Sequence, residues 1–346
     1  MVSGAIYMSG KRVTRKDVAD RAGVTPTIVS YVTNNNRYVS KDKRERVLQA
    51  IKELGYHPNT VALGLKCKKS YHIAFICDDI SNEHFAKIVM DMEDIANERG
   101  YIISFCNTRR DEQYINKLIS RQFDGAIIST DILEGELINK FPDIGIPTIL
   151  FGNRIHQNIS KDITFVNIDI YGGTLKAMEH LVKEGHTKIA FVDSSLKEQD
   201  TIDYNDLRVK GYAEIHEKYN MVLNKDYIIQ GANGYKDVFE KSYQLFQSKD
   251  RPTAILVNDD MHAYIVMSAV KSLNLEVPED VSIIGYNDTT IAKYMVPRLT
   301  TVEIPRKKIS RAALELLIDK IEGKVVKDID IDTDLIIGNT TKSMTQ

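Results

Sequence analysis

The sequence predicts two kinds of structure in one chain. A small all-α head stands at the N-terminus, and a larger α/β body follows, with two lobes that are each a parallel sheet flanked by helices. Three observations predict this. Short helical patterns with capping signals fill residues 13–57. Apolar strands and amphipathic helices then alternate from Tyr71 onward, and the alternation runs through two similar rounds.

The chain of 346 residues is too long for one ordinary core, so we expect several segments. They are an N-terminal extension at 1–12, a helix-turn-helix head at 13–57, a hinge at 58–70 and a body at 71–346. Within the body, we expect the first lobe to take about 71–168 and 299–326 and the second about 169–298 and 327–340.

The first helix is expected in "VTRKDVADRAG". Thr14 is followed three positions later by Asp17, which is a pattern close to a capping box. Val18 and Ala22 are four residues apart and form an inward face, and Gly23 ends the helix.

The second helix is expected to begin at once in "TPTIVSYVTN". Thr25 is placed as its N-cap and Pro26 at the favoured first position. Ile28, Val29 and Val32 form the buried stripe. Two short helices joined by a tight turn that contains glycine make the helix-turn-helix arrangement.

A third helix is expected in "KDKRERVLQAIKELG". Ser40 is placed to cap it, and Gly55 to close it. Its apolar residues recur at helical spacing: Val47, Leu48, Ile51 and Leu54. Three helices complete a compact head.

The charges are distributed unevenly along the chain. Residues 1–70 hold 14 Lys and Arg against 5 Asp and Glu, a net charge of +9, whereas the remainder carries −11. A basic head suits a polyanion, because Lys and Arg release counterions from phosphates when they bind. A solvated basic surface explains the charge equally well.

The composition further narrows the class of protein that the sequence can represent. No apolar segment reaches the roughly 18 to 20 residues of a membrane span, and the first residues lack the pattern of a signal peptide. We therefore expect a cytoplasmic protein. Cys67, Cys77 and Cys106 form neither a disulfide framework nor a zinc-ligand pattern, so no cofactor or metal is implied.

The body is expected to bind a small ligand between its lobes. Parallel α/β sheets bind ligands outside the carboxyl ends of their strands, and two such lobes place a cleft there. Polar residues follow the expected strands at these ends: Asp78, Arg154, Asn258, Asp259, Asn287 and Asp288, with Arg208 at the start of a helix. Such groups suit a polyhydroxylated or anionic ligand, although each also suits a loop-capping role.

Several segments together resemble one protein family. "DVADRAGVTPTIVSYVTNN", "YVSKDKRERVLQAIKELGYHPN" and "VALGLK" resemble the DNA-binding head and hinge of the lactose repressor/galactose repressor (LacI/GalR) family of bacterial transcription factors. The resemblance continues through stretches such as "IAFICDDISNEHFAKIV", "HLVKEGHTKIAFV" and "VPEDVSIIGYNDT", from about Val13 to about Ile337. It implies a repressor whose body is like a periplasmic binding protein. We expect it to bind a pseudo-palindromic DNA operator as a homodimer, because one small head makes too few contacts for specificity.

The resemblance also implies which residues contact DNA. Base edges are assigned to Pro26, Thr27 and Tyr31, and phosphates to Thr14, Ser30, Asn34, Tyr38 and Ser40. The implied set is completed by Thr25, Asn59, Leu65 and Lys66. Leu65 matches the leucine that wedges into the minor groove, and Lys66 its neighbour. Tyr31 replaces the arginine of the best-known member, so the base preference of the half-site should differ.

For the effector, the resemblance implies a set of positions in the cleft. They are Asp78, Asn82, His84, Phe85, Arg154, Arg208, Tyr235, Asn258 and Asn287. Asn287 replaces a usual aspartate, Gly152 an acid of some relatives, and Asn233 a stacking aromatic that Tyr235 can supply. A sugar or sugar derivative is expected, and a phosphorylated or otherwise anionic effector stays open. A protein corepressor that contacts the first lobe also stays open.

Two other classes of protein, enzymes and periplasmic-type sugar-binding proteins, fit the sequence less well. Catalysis is disfavoured because the sequence has no GxSxG, GxxxxGK[ST], HExxH or GxGxxG motif. A periplasmic-type sugar-binding protein without a DNA role fits the body but not the basic helical head. The sequence therefore favours a DNA-binding regulator that is not an enzyme.

Overall fold

A computed structural model describes residues 13–35, 37–57, 69–193, 203–232 and 234–344. The chain separates into two compact units, Met1–Ser70 and Tyr71–Gln346. The predicted hinge contacts at Asn59, Leu65 and Lys66, together with Asn233, lie outside the described residues.

The head has three helices, α1 (Arg15–Ala22), α2 (Pro26–Asn34) and α3 (Lys41–Leu54). The capping box at α1 is confirmed, because the Asp17 carboxylate accepts from the Thr14 amide at 2.7 Å and the Asp17 amide donates to the Thr14 hydroxyl at 3.3 Å. Gly23 follows α1 in the left-handed conformation, with φ of 64°. Local capping chemistry therefore sets the turn between α1 and α2.

The third helix differs from the prediction in two details. Ser40 is at the N-cap of α3, but its side chain makes no capping hydrogen bond. Leu48 is 51% exposed, whereas Val47 is buried as predicted and Ile51 and Leu54 pack against the core of the head. Successive residues of a helix are about 100° apart around its axis, so Leu48, next to Val47, lies off the face that the other three share.

The body contains twelve strands and nine α-helices among its described residues. The strands are β1 (His72–Cys77), β2 (Ile102–Asn107), β3 (Gly125–Ser129), β4 (Thr148–Phe151), β5 (Ile163–Ile168), β6 (Ile189–Val192), β7 (Ile228–Ile229), β8 (Ala254–Val257), β9 (Ser282–Tyr286), β10 (Thr300–Glu303), β11 (Ile329–Ile331) and β12 (Asp334–Ile336). The helices are α4 (Glu83–Glu98), α5 (Glu112–Ile119), α6 (Gly135–Asp143), α7 (Ile170–Lys183), α8 (Leu207–Lys218), α9 (Tyr235–Gln247), α10 (Asp260–Ser272), α11 (Thr290–Tyr294) and α12 (Arg306–Ile321).

The strands form two six-stranded sheets, one for each lobe. The first has the order β11-β5-β4-β3-β1-β2 and is parallel throughout. The second has the order β12-β10-β9-β8-β6-β7, and its strands are parallel except where β12 runs against β10. Strands β3 and β9 are buried along their whole length, as expected for a sheet covered on both faces. The predicted fold class is confirmed.

The expected division of the last segments between the lobes is partly wrong. Strand β10, expected in the first lobe with the rest of 299–326, pairs with β9 in the second sheet. Strand β11, expected in the second lobe, pairs with β5 in the first. These strands have only four and three residues, so their sequence does not show which sheet edge they extend.

The two sheets place the carboxyl ends of their strands, and the loops that follow them, where the lobes face each other. Hydrogen bonds between the lobes are made by residues of these loops, as described below. Among the described residues, no helix is long and apolar enough to cross a membrane.

Candidate functional sites in the head and the body

The face of α2 that was predicted to contact DNA lies on the surface of the head. Pro26, Thr27 and Asn34 are exposed, and Ser30 and Tyr31 are half-buried. The Asn34 side-chain amide donates to the Ser30 hydroxyl at 3.2 Å, which orders two of the polar groups on this face. The other described positions of the predicted set are also exposed: Thr14, Thr25, Tyr38 and Ser40.

An arginine that the sequence reasoning missed lies beside Tyr31. The Arg37 guanidinium is 5.3 Å from the centre of the Tyr31 ring, and its Nη1 lies 3.4 Å from the Tyr31 hydroxyl. This is a cation–π arrangement on the exposed surface of the head. In the sequence, this arginine is marked only as a single basic residue in the loop after α2, in "NNNRYVS". The recognition face therefore carries a positive charge next to its largest side chain.

In the body, five charged residues join the lobes in what we term the ionic cluster: Asp131, Arg154, Asp203, Asp206 and Arg208. Arg208 Nη2 donates to Asp131 Oδ2 across the cleft at 3.1 Å and to Asp206 Oδ2 in its own lobe at 2.8 Å. Arg154 Nη2 donates to Asp203 Oδ2 at 3.1 Å. The side chains of Arg154 and Asp203 are each only 9% exposed and that of Arg208 12%, so the lobes are held together by mostly buried charges.

Asp78 organises the first-lobe side of the ionic cluster. Its carboxylate accepts hydrogen bonds from the hydroxyls of Thr108 and Thr130 and from the amide of Asp131, each at 2.5 Å. Thr130 and Asp131 belong to the loop after β3, and Thr108 directly follows β2, so Asp78 ties these two loops together. The structure thus places Asp78 behind Asp131, where it positions both loops.

A second polar contact between the lobes centres on Asp259. Its Oδ2 accepts from the side-chain amides of Asn82 in the first lobe, at 3.2 Å, and Asn287 in the second, at 3.1 Å. Its Oδ1 caps α10 by accepting from the Met261 amide at 2.8 Å. Asn82 itself caps α4 through the His84 amide at 2.8 Å. Two predicted effector residues are therefore brought together by Asp259.

His84 is a buried imidazole with an unsatisfied atom. It is 8% exposed, and its Nδ1 has no hydrogen-bond partner in the structure. Burial lowers the pKa of His84 to about 3, and the nearby charges of Arg306 and Arg208 lower it further. The neighbouring Phe85 ring packs on His84 and on Phe75, with centroids 5.2 and 6.4 Å away, so Phe85 belongs to the edge of the core. His84 is therefore neutral and able to accept or donate one hydrogen bond.

The second-lobe side of the cleft offers an exposed aromatic ring. Tyr235, the first residue of α9, is 51% exposed and meets the edge of the His262 ring at 5.6 Å. His262 Nδ1 lies 3.3 Å from the side-chain oxygen of Asn258. Burial lowers the pKa of His262, against the raising effect of the neighbouring Asp259. An aromatic face, an imidazole and an amide thus occur together.

Comparisons with known proteins agree with this architecture. Residues 14–59 match the family model described as bacterial regulatory proteins, lacI family, and residues 178–341 match a periplasmic binding protein-like domain. The HTH-type transcriptional repressor PurR of Vibrio vulnificus (strain CMCP6) is 30% identical over 340 residues, which is 96% of this chain and 99% of that protein. PurR of Haemophilus influenzae (strain PittEE) is 31% identical over 345 residues, with the same coverage.

Solved structures show the same fold. The lac repressor dimer bound to operator and the anti-inducer ONPF superposes with a TM-score of 0.80 at 24% identity, covering 96% of this chain and 100% of that one. The complex of the transcriptional regulator CelR with cellobiose gives a TM-score of 0.68 at 25% identity, covering 95% and 100%.

A basic helix-turn-helix head on a two-lobed α/β body defines a DNA-binding regulator with an effector-binding body. The chain belongs to the LacI family of bacterial regulatory proteins. It is a DNA-binding transcriptional repressor and not an enzyme. The match of residues 14–59 contradicts the alternative of a sugar-binding protein without a DNA role.

Proposed function

We propose that the protein represses transcription in the cytoplasm by binding a pseudo-palindromic operator as a homodimer, and that a sugar-like effector bound between the lobes sets its affinity for that operator. The lac repressor whose structure this chain resembles is a dimer on its operator. CelR, another structural relative, is bound to cellobiose. A dimer on DNA fits the exposed face of α2 in this chain, and a bound sugar fits the cleft between its lobes.

On the operator, α2 would lie in the major groove. Thr27 and Tyr31 then face base edges, with Pro26 packed against them, while the hydroxyls and amide of Thr14, Ser30 and Asn34 face phosphates. Arg37 supplies the guanidinium that Tyr31 lacks, and a guanidinium is the usual partner of guanine in this groove. We also propose that Asn59, Leu65 and Lys66 contact the centre of the operator.

For the homodimer, we propose a contact surface on α4 and α11. The Lys87 ammonium donates to the Thr290 hydroxyl at 2.7 Å, which brings these two helices of different lobes together. Exposed apolar side chains flank this contact: Met90 is 66%, Tyr294 80% and Val296 84% exposed. Because the group spans both lobes, a partner that covers it would respond to a change in lobe geometry.

The observation that carries the effector proposal is the bond between Arg208 of the second lobe and Asp131 of the first. A ligand that inserts at this point contacts both lobes and alters their spacing. It therefore binds one lobe arrangement better than another, and that difference is what shifts the operator-binding equilibrium. The remaining residues proposed to contact the effector are Asn82, His84, Arg154, Tyr235, Asn258 and Asn287, with Asp78 and Phe85 behind them.

A ligand screen on the full-length protein tests this proposal. Melting temperature is measured against a panel of neutral sugars, sugar phosphates and purines, and operator affinity is then measured with each ligand that stabilises. A specific ligand at 100 times its dissociation constant should stabilise by about 2.7 kcal/mol. The same screen on residues 71–346 should retain the stabilisation and lose DNA binding. Unchanged DNA affinity of that fragment, or no effect of any stabilising ligand on the operator, contradicts the proposal.

A further inference from the structure

The ionic cluster holds more negative than positive charge. It contains the carboxylates of Asp131, Asp203 and Asp206 against the guanidinium groups of Arg154 and Arg208. Each arginine is already engaged: Arg154 bonds to Asp203 and to the Asp131 carbonyl, and Arg208 to Asp131 and Asp206. Both arginines of this cluster therefore already have a carboxylate partner when an anion approaches.

Asp131 is held firmly in this position. Its Oδ1 accepts from the Asn153 side-chain amide at 2.7 Å and its Oδ2 from Arg208 at 3.1 Å, while its own amide is bound by Asp78. Burial raises the pKa of Asp131, and the nearby carboxylates of Asp206 and Asp78 raise it further, against Arg208 and Arg154. Among the described residues, negative charge is in excess around Asp131.

His84 adds a second, independent indication that a polar ligand binds here. Its neutral imidazole is more than nine-tenths buried, has an unpartnered Nδ1, and lies close enough to Arg208 for that charge to lower its pKa. A buried polar atom without a partner is costly unless a ligand satisfies it. A ligand hydroxyl can do so with either tautomer, and a phosphate oxygen with the tautomer that carries its proton on Nδ1, so His84 indicates a hydrogen-bonding ligand of either kind.

We propose that Asp131 determines effector specificity: by holding Arg208, it selects a neutral ligand with neighbouring hydroxyls and rejects phosphorylated or otherwise anionic ones. A vicinal diol between the two side chains accepts from the guanidinium and donates to the carboxylate, so both keep a partner. A phosphate accepts from Arg208 but is repelled by Asp131 and Asp206. This inference rests on the proposed effector site and names the ligand class for it.

The first test uses inorganic phosphate as the probe, at constant ionic strength. Melting temperatures of the full-length wild type and of Asp131→Asn, Asp131→Ser and Asp131→Asn/Arg208→Met are measured with and without phosphate. The matched control is Asp143→Asn, an exposed aspartate at the end of α6. We expect phosphate to stabilise the Asp131 single variants beyond the wild type and the control, and the gain to vanish in the double variant. Far-UV circular dichroism identifies the variants that fold.

Two results overturn the inference. One is a wild type that phosphate already stabilises through Arg208, shown by loss of the effect in Arg208→Met alone. The other is a folded Asp131 variant with no gain. If Asp131→Asn does not fold, Asp131→Ser decides, because its smaller side chain removes the carboxylate without a new amide. If neither folds, wild type and Arg208→Met decide alone: a phosphate effect that depends on Arg208 overturns the inference, and its absence supports it.

The second test compares sugars with their own phosphate esters on the full-length wild type and on Asp131→Asn. We expect the wild type to prefer the neutral member of a pair, and the variant to shift that preference by at least about tenfold toward the ester. A wild type that prefers the ester overturns the inference. If no compound changes melting temperature or operator affinity, the proposed function fails, whereas the phosphate comparison still judges the role of Asp131.

Discussion

Arg208 of the second lobe donates to Asp131 of the first at 3.1 Å, and this hydrogen bond crosses the cleft between the lobes. A second pair runs the other way, from Arg154 of the first lobe to Asp203 of the second, also at 3.1 Å. The lobes are therefore joined by two mostly buried charge pairs. Any ligand that changes their spacing must compete with these bonds, which makes lobe geometry sensitive to what occupies the cleft.

Removing the Arg208 guanidinium should destabilise the body. Arg208→Met leaves the carboxylates of Asp131 and Asp206 close together without their partner, and breaking a buried pair typically costs about 3 kcal/mol or more. The free energy of unfolding from urea denaturation measures the loss. Arg311→Met is the matched control, since Arg311 pairs with Glu315 on the surface, where we expect less than about 1 kcal/mol. Equal losses in both variants would contradict the importance of the cross-lobe pair.

Two substitutions on α2 should separate base recognition from phosphate contact. Tyr31→Arg places a bidentate donor on the recognition face and should change base preference at one position of the half-site. Ser30→Ala removes a hydroxyl that we propose contacts the DNA phosphates, and it should weaken binding to all sites by a similar factor. Selection of binding sites from a random DNA library measures both effects. Unchanged preference for Tyr31→Arg would mean that another face of the head meets the bases.

Replacing Arg37 should reduce DNA affinity together with base selectivity. Arg37→Met removes the charge beside Tyr31 while keeping much of the side-chain length. If this guanidinium contacts a base, the discrimination between correct and wrong bases at that base pair falls by about 1 to 3 kcal/mol in the variant. Arg15→Met, at an exposed position on α1, serves as the control for loss of charge alone. A loss of affinity that is equal for all sequences would assign Arg37 to phosphate contact.

Stability should fall in acid because of His84. The folded pKa of about 3 lies below the ordinary 6.5, so between these values the unfolded chain binds a proton that the folded chain does not. Its contribution is present above pH 6.5 and is lost as pH falls toward 3. At two pH units below 6.5 the loss amounts to about 3 kcal/mol.

His84→Gln tests this directly, because glutamine does not titrate. The free energy of unfolding of the variant should fall less between pH 6.5 and 4.5 than that of the wild type. His57→Gln, at an exposed position in the head, provides the control. Parallel pH curves for His84→Gln and wild type would show that the imidazole is protonated in the folded protein.

The apolar group on α4 and α11 should be needed for the dimer. Met90→Asp and Tyr294→Asp each place a charge where we expect a partner subunit, and should weaken dimerisation at least about tenfold. Val325→Asp, at a position that is 95% exposed, is the control and should leave the dimer unchanged. Sedimentation equilibrium measures all three. A dimer that tolerates both substitutions would place the subunit contact elsewhere.

The local features of this fold could be predicted because they depend on neighbouring residues. The capping box of Thr14 and Asp17 and the left-handed Gly23 are examples. The sheet that β10 and β11 join could not be predicted, since a strand of three or four residues pairs according to the space left by the rest of the lobe. Long-range packing, which the local sequence pattern does not show, decides which sheet such a short strand joins.

Part of the site could also be predicted, because some of its residues are marked by their neighbours in the sequence. Polar residues after buried strands led to Asp78 and Arg154, and the start of a predicted helix led to Arg208. Asp131 follows "GAIIS" by two residues, so the same rule would have included it. Its role could not be read from the sequence, because its partner Arg208 is 77 residues away.

Ligand and operator should influence each other's binding through the lobes. The most direct measurement is the operator dissociation constant of the full-length protein with and without the neutral sugar that stabilises it most, together with the dissociation constant of that sugar with and without operator. We expect both constants to change by the same factor, because linkage is reciprocal, and we expect Arg208→Met to bring the factor close to one. An operator affinity that stays constant while the sugar saturates its site would show that the two sites are not coupled.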